Sequence, residues 1–289
     1  MRRELTNKPP GRPRGMIPTS HPAVLPDGAW KVLRDRLTDL LPAYRRKTDL
    51  RAVVEAILYR VRTGCQWRLL PLPDGLSWGT VWYYFDQWSR TGVIDELNLL
   101  IVSLSRRSEP KPDGSARSAV PTAPVVDAQS VKSGVRGHRD ARGFDGNKRI
   151  NGIKRHVVTD TGGRVVACLT EPANAHEGSL LRDLLIMLRS WGYAEGAAIF
   201  ADAGYRGQEA AAAREGYRLE VVSRADEAEA KRLGNKGFRP VTKRWVIEQT
   251  FGALAHNRAV RVSYDRRSHN VEGVFLWANI ARLVKRLVS

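Results

Sequence analysis

The chain is poor in cysteine, in acidic residues and in long hydrophobic runs. Its two cysteines, Cys65 and Cys168, lie far apart without the close spacing of metal ligands, so they predict thiols in a reducing cytosol and no zinc site. The longest apolar runs, such as 274–278, are far shorter than the roughly 18 residues that a membrane helix needs. Arg2 and Arg3 are followed by polar, Pro-rich sequence, which is not typical of a secretory signal. We therefore expect a cytoplasmic protein with no membrane partner.

The shortage of acidic residues leaves a large positive charge. The 289 residues include 48 Lys and Arg against 30 Asp and Glu, which gives a formal net charge of +18. A protein this basic usually binds a polyanion, and double-stranded DNA is the first candidate, ahead of an anionic membrane surface or a charge that serves only solubility. The 42% apolar content is enough for a sizeable core. The composition thus predicts a folded protein whose main partner is DNA.

The first 122 residues divide into an arm, a helical region and a linker. Residues 1–26 are rich in Pro, Arg and Gly, which predicts a loose arm that either touches a DNA groove or is an ordinary flexible terminus. Residues 27–105 show helical spacing from Asp27, Leu50 and Ser77 onward, and predict a small all-α domain. Thr48 or Asp49 can cap the second helix and Gly64 can end it, whereas Ser77 can cap the third, which reaches about Arg90. That domain is either a DNA-recognition module or a packing or dimerisation unit. The Ser, Pro and Lys content of 106–122 is typical of a linker.

Residues 123–289 have the pattern of an α/β domain. A short apolar run leads into Asp127, and a second buried run at 197–201 leads into Asp202. Two β-rich runs, 152–159 and 164–170, flank a hairpin turn that accounts for Asp160. Helices are predicted at 179–191 and 208–214, with a further strand at 218–222. We expect a ribonuclease-H-like mixed sheet with flanking helices, in which the strands that end at Asp127 and Asp202 are neighbours.

The segment 243–258 carries a lone carboxylate among cations. Its apolar residues Val246, Phe251 and Leu254 have helical spacing, which predicts a single helix over the whole segment. Glu248 lies one turn after Arg244, so the pair could be no more than an ordinary intrahelical salt bridge.

Three carboxylates brought together have a second interpretation. Two Asp and one Glu repel one another in a partly buried site unless a divalent cation neutralises them. Mg²⁺ and Mn²⁺ prefer such oxygen ligands, and a pair of these ions can promote an in-line displacement at a phosphodiester. Taken singly, each Asp is more often a cap or turn residue. Taken together, Asp127, Asp202 and Glu248 are candidate metal ligands and candidate catalytic residues for DNA phosphoryl transfer, with Mg²⁺ as the ion and Mn²⁺ as the alternative.

Several blocks of the sequence resemble one family, the DDE transposases of bacterial insertion sequences, and within it the group of insertion sequence five. The matching blocks are 127–132 (DAQSVK), 143–148 (GFDGNK), 152–156 (GIKRH), 201–205 (ADAGY) and 244–251 (RWVIEQTF), and 58–71 (LYRVRTGCQWRLLP) is similar to the N-terminal domain of that group. The resemblance implies a ribonuclease-H-like core in which Asp127, Asp202 and Glu248 bind Mg²⁺, cleave the ends of the element and join them to target DNA. A homo-oligomer on terminal inverted repeats, in the bacterial nucleoid, is expected with it.

The candidate DNA contacts lie around these motifs. Lys154 and Arg155 are predicted to project from a strand, either as solvated residues or toward the DNA backbone. Many relatives carry a Tyr and a Lys or Arg where this chain has Val241 and Ala255, so neighbouring cations would take over a phosphate contact. The full set of candidates is Lys132, Lys154, Arg155, Arg244, His256 and Arg258.

Two alternatives to a transposase stay open at this point. One is a DNA-binding repressor with a degenerate core. Val241 and Ala255, at positions where many relatives carry other residues, favour it, whereas the intact trio of carboxylates disfavours it. The other is a metal-dependent nuclease that cuts DNA without joining it.

Overall fold

The computed structural model describes residues 23–41, 48–111, 114–134, 142–222 and 244–288, together with positions 17 and 21. Most of the predicted arm at 1–26, part of the basic loop at 136–149 and the polar stretch at 224–239 lie outside the described residues, as does Val241. Within the described ranges, no helix combines the length and the apolar content needed to cross a membrane.

Among the described residues, four α-helices precede the sheet. They are α1 (Asp27–Leu40), α2 (Leu50–Thr63), α3 (Trp78–Arg90) and α4 (Val93–Arg107). The carboxylate of Asp49 accepts hydrogen bonds from the first backbone N–H groups of α2, and Gly64 ends that helix with a φ of 68°. Ser77 Oγ accepts from the backbone N–H of Thr80, at 3.0 Å, to begin α3. The predicted ends of α2 and α3 are thus confirmed.

Seven strands of the described chain form one mixed sheet. They are β1 (Val125–Ser133), β2 (Gly143–Asp145), β3 (Ile150–Thr159), β4 (Val165–Pro172), β5 (Ala198–Asp202), β6 (Arg218–Val222) and the short β7 (Val262–Ser263). The antiparallel hairpin of β3 and β4 pairs with β1, and β1, β5 and β6 then run parallel to one another. This is the ribonuclease-H-like order that the sequence predicted, with the strands of Asp127 and Asp202 as neighbours.

Helices cover both faces of this sheet. In the part of the chain that the structure describes, the other α-helices are α5 (Leu181–Ser190), α6 (Glu209–Arg214), α7 (Arg244–Leu254), α8 (Arg258–Arg261) and α9 (Ser268–Leu287). Val126 and Ile199 share a core with α5 and α6, whereas Val125 and Phe200 share the opposite core with α7 and α9. That second core also contains the buried faces of α1 to α4. The helical region 27–105 therefore packs directly on the α/β region, and the two share one hydrophobic core although the predicted linker at 106–122 lies between them in sequence.

One sequence prediction is wrong in this region, and one helix was not predicted. The helix predicted over 243–258 ends at Leu254, so His256 and Arg258 lie beyond it. No helix was expected at 268–287, although α9 is the longest helix that the structure describes. Its residues 273–280 are all buried, so α9 lacks the polar stripe that identifies a surface helix.

Glu272 of α9 makes the stability of the fold depend on pH. Its Oε1 accepts from the backbone N–H and from the hydroxyl of Thr170, at 2.8 and 2.9 Å. Burial is the main cause that raises the pKa of Glu272 from its ordinary value of 4.5 to about 7. Between these two pH values the folded state holds a proton that the unfolded state has lost, so the free energy of unfolding falls as pH rises.

We expect this loss to be on the order of 2–3 kcal/mol between pH 5 and pH 8, and Glu272→Gln to remove it. Urea unfolding at both pH values measures the effect. Asp95, whose pKa burial raises to about 6, acts in the same direction and is present in every variant. The exposed Glu96→Gln variant of α4 is the control. If Glu272→Gln keeps the pH dependence of the wild type, the assignment to Glu272 is wrong.

Candidate active site

Asp127 and Asp202 lie side by side on neighbouring parallel strands. Val125 is in register with Phe200 and Val126 with Ala201, so the next step along β1 and β5 brings Asp127 beside Asp202. Residues in register on parallel strands point to the same face, and their strands are about 4.8 Å apart. Asp202 ends its strand, as predicted. Asp127 does not, because it is the third residue of the nine-residue β1.

Backbone N–H groups fix the orientation of both carboxylates. Oδ1 of Asp127 accepts from the N–H of Ala128 at 2.7 Å. Oδ1 of Asp202 accepts from the N–H of Gly204 at 3.0 Å, at the point where the chain leaves β5 in a single tight turn. Both side chains are half-buried. The two acids are thus held on one face, with part of each surface open to solvent.

Glu248 comes from the helix that packs on this same face. Ile247 and Phe251 of α7 are buried in the core that contains Val125 and Phe200, whereas Glu248 is exposed. Asp127 and Asp202 follow Val125 and Phe200 by two residues, so they face the side of the sheet that α7 covers. Helix α7 therefore brings the third candidate carboxylate to the correct side of the sheet.

A close approach to the β3–β4 turn holds α7 in this position. Thr250 Oγ1 donates to the carbonyl oxygen of Gly163 at 3.0 Å. Gly163 has a φ of 73°, and a Cβ at this position would lie 2.6 Å from Thr250 Oγ1 and 3.3 Å from Val246. Only glycine satisfies both the backbone conformation and the contact.

The three predicted carboxylates are not gathered as one metal site. Among the residues with described positions, no three His, Cys, Asp or Glu side chains form a group that could hold a metal ion. The paired register of β1 with β5 ends at Val126 and Ala201, and Asp127 and Asp202 are the residues that follow directly. The described residues do not include the side chain of Arg244, the predicted partner of Glu248. The roles of the three carboxylates stay predictions.

Tyr205 shows how much negative charge gathers near the aspartates. Its side chain is fully buried behind the turn that follows Asp202. Burial raises the pKa of the Tyr205 hydroxyl well above its usual value, and the negative charges of four carboxylates add to this rise. In order of effect, those carboxylates belong to Asp127, Asp202, Glu177 and Glu171.

Glu177 is an acid for which the sequence leaves two interpretations open: a site residue together with His176, or, more commonly, part of a polar loop pair before a helix. A Cβ on Gly204 would collide with Glu177 Oε2 and lie 3.1 Å from Asp202 Oδ1, so these two carboxylates flank the same glycine. Glu177 also pairs with Lys148 at 3.6 Å. In sequence, Glu177 looked like a loop residue before a helix. The glycine in the 201–205 motif was the available signal that another group packs closely there.

A cleft opens beside this acidic group. It has a volume of about 410 Å³ and lies between the turn after β2 and the loop that precedes α5. Phe144 stands on its rim with 59% of its surface exposed. Lys148, Glu177 and Gly204 line it, so the cleft is continuous with the surroundings of Asp202.

The predicted DNA contacts fall into exposed and buried groups. Lys132, His256 and Arg258 are exposed. Lys154 and Arg155 are not: they are only 6% and 1% exposed, so the prediction that both project from the strand to solvent or DNA is wrong. The reason is that the loop at Ala175 covers Lys154, whereas groups at Val260 and Phe275 enclose Arg155.

Each buried cation has interior partners. The guanidinium of Arg155 lies 4.4 Å from the centre of the Phe275 ring, and it donates to Gln129 Oε1 and to the carbonyl oxygen of Val260, both at 3.4 Å. Lys154 Nζ donates to the carbonyl oxygen of Ala175 at the edge of the cleft. Arg155 thus stabilises the packing of α9 on the sheet instead of facing DNA.

Comparison with known families agrees with this arrangement. The family model described as the transposase DDE domain matches residues 120–283, which include the sheet, the paired aspartates and α7. The chain belongs to the transposase DDE domain family. A second family model, for transposases of the IS4/5 family (DUF4096), matches residues 25–98 and so covers α1 to α3. Family membership therefore extends over both the helical and the α/β regions, and it confirms the resemblance seen in the sequence.

One curated relative and two solved structures extend the comparison. A Burkholderia cepacia protein named as a transposase for insertion sequence element IS402 is 30% identical over 131 residues, which are 43% of this chain and 59% of that protein. The piggyBac transposase in a synaptic complex with hairpin DNA aligns with a TM-score of 0.34 and 11% identity, over 92% of this chain and 73% of its own. The Drosophila P element transposase strand transfer complex aligns with a TM-score of 0.30 and 14% identity, over 72% of this chain and 49% of the P element transposase chain.

Proposed function

We propose that this member of the DDE family is an active insertion-sequence transposase. It binds the terminal inverted repeats of its element in double-stranded DNA, cleaves the DNA in a divalent-metal-dependent reaction and joins the ends to target DNA. It acts on DNA as a homo-oligomer.

The pairing of Asp127 with Asp202 is the observation that carries this proposal. Two carboxylates on one face of adjacent strands repel each other, and this repulsion is tolerated when a cation lies between them. Carboxylate oxygens are the donors that Mg²⁺ prefers, with Mn²⁺ as the alternative, so the pair fits such an ion. Glu248, on the helix that covers this face, is proposed as the third ligand.

The roles of the individual groups follow from their positions. The bound ions would polarise the scissile phosphodiester and favour ionisation of the attacking water or 3′-hydroxyl. Backbone N–H groups hold Asp127 and Asp202 in fixed orientations for that purpose. The exposed side chains of Lys132, His256 and Arg258 are proposed to contact DNA phosphates, which fixes the DNA on the protein without reading its sequence. Arg244 keeps the same proposed role.

A strand-transfer assay with a terminal-repeat duplex and a target plasmid tests the function. We expect cleavage and joining in the presence of Mg²⁺ and neither product with EDTA. Cleavage without joining would instead indicate a nuclease. Binding without either reaction would indicate a DNA-binding repressor.

A further inference from the structure

A second cavity lies away from the paired aspartates and has a basic rim. It has a volume of about 470 Å³ and forms where the end of α7 meets α2 and α9. Apolar side chains, among them Leu58 and Val61, line its floor. None of the described residues that line it is acidic. Its cations Arg62, Arg282 and Lys285 come from α2 and α9, and the side chain of His256, from the segment after α7, lies beside them.

Two cations of this rim, Arg62 and Lys285, are close enough to affect each other. Burial lowers the pKa of Lys285, and the charge of Arg62 lowers it further. The pKa of His21 is lowered by burial and then by both Arg62 and Lys285, which places His21 beside the same pair. Like charges held this closely carry a cost that a bound anion would relieve.

The backbone contacts of the rim show that it joins two parts of the protein. Arg62 Nη1 donates to the carbonyl oxygen of His256 at 3.1 Å, which connects the end of α2 to the segment after α7. Arg282 of α9 donates to the carbonyl oxygen of Gly163, next to the contact that positions α7. The basic rim is therefore attached to the same helix that carries Glu248.

We infer that the basic rim binds a phosphate of the DNA backbone, with Arg62 and Lys285 as the main cations. This inference rests on the proposed function. From Glu248 to Leu254, α7 advances six residues, or roughly 9 Å along its axis. At about 3.4 Å per nucleotide along one strand, that distance corresponds to two or three nucleotides. The rim would thus hold the backbone of DNA whose reacting phosphate lies at the carboxylates.

Salt-dependent DNA binding by charge variants tests the inference. Fluorescence anisotropy with a labelled duplex, between about 50 and 200 mM salt, gives the slope of log K against log salt concentration. We expect Arg62→Gln and Lys285→Gln each to weaken binding and to reduce the size of this slope by about 1, because one fewer phosphate charge is neutralised. Lys285→Arg keeps the charge and should keep the slope. Arg214→Gln, an exposed cation on α6 across the sheet, removes the same charge and should also leave the slope unchanged.

Thermal unfolding of each variant, with and without inorganic phosphate, separates folding from binding. Reduced slopes in variants that keep the unfolding temperature of the wild type support the inference. If Arg62→Gln and Lys285→Gln give the same slope as Arg214→Gln, the inference is wrong. The proposed function still stands in that case, provided that the wild type binds DNA. Stabilisation by inorganic phosphate with unchanged slopes would also overturn it, in favour of a small-anion site. A wild type that binds no duplex would contradict the proposed function itself.

Discussion

Asp127→Asn, Asp202→Asn and Glu248→Gln are each expected to reduce Mg²⁺-dependent DNA cleavage by at least about 10³-fold. Each substitution keeps the size of the side chain and removes one negative charge from the proposed ion site. Loss of about 4 kcal/mol of transition-state stabilisation corresponds to three factors of ten in rate, which is the scale of metal-ion catalysis. Single-turnover cleavage of a labelled terminal-repeat duplex measures the effect directly.

DNA binding distinguishes this effect from misfolding. Removing an acidic charge near the DNA reduces repulsion of its phosphates, so the affinity of each variant for the duplex should equal or exceed that of the wild type. Weaker binding together with lost cleavage would instead indicate a damaged fold.

Two matched variants serve as controls for the carboxylate series. Asp183→Asn on α5 and Glu209→Gln on α6 make the same chemical changes at exposed positions, on the face of the sheet away from the paired aspartates. Both should cleave at the wild-type rate. Near-normal cleavage by a variant of Asp127, Asp202 or Glu248 would remove that residue from the assigned set and leave the other two to be judged separately.

The parts of the fold that were predictable depend on neighbouring residues. The caps at Asp49 and Ser77 and the turn that ends α2 at Gly64 are short sequence patterns with local causes, and they lie where the sequence places them. The strand that ends at Asp202 was equally clear, because an apolar run and a following glycine belong to one short segment. The pairing of this strand with the strand of Asp127 followed from the order of the elements.

The parts that could not be predicted depend on distant contacts. Lys154 and Arg155 are adjacent cations on one strand, a pattern typical of a solvated surface, yet Arg155 is enclosed by groups from β1, α8 and α9. Helix α9 is apolar on nearly every side because α1 to α4 surround one part of it and the sheet the other. Glu177 comes close to Asp202 because of the way a loop folds. The spacing of residues in the sequence does not predict such a contact.

Asp160 combines a local cause with a distant one. Its Oδ1 accepts from the backbone N–H groups of Gly162 and Arg164, both at 2.9 Å, as the predicted hairpin turn requires. Its Oδ2 accepts from Arg106 at 2.5 Å and from the Arg164 side chain at 3.0 Å. Arg106 lies on α4, so its ion pair with Asp160 Oδ2 connects the helical region to the sheet. All three side chains are at most 6% exposed.

We expect Asp160→Ala to lower the free energy of unfolding by about 3–5 kcal/mol, because it leaves two buried guanidinium groups without their shared anion. Against a typical total of roughly 5–15 kcal/mol, this is a large fraction of the stability of the whole fold. Urea unfolding followed by circular dichroism measures it. Asp39→Ala on α1 is the matched control, since it breaks a surface pair with Arg36 at 3.6 Å and should cost less than about 1 kcal/mol.

A double-mutant cycle with Arg106→Met tests whether the charges themselves are responsible. In the wild-type background, Arg106→Met removes one of the two cations that neutralise Asp160 and should be strongly destabilising. In the Asp160→Ala background the same change removes an unneutralised buried charge, so its cost should fall by at least about 1 kcal/mol. Additive effects would show that Asp160 acts only through its turn. In that case the ion pair would not account for the attachment of α4 to the β3–β4 hairpin.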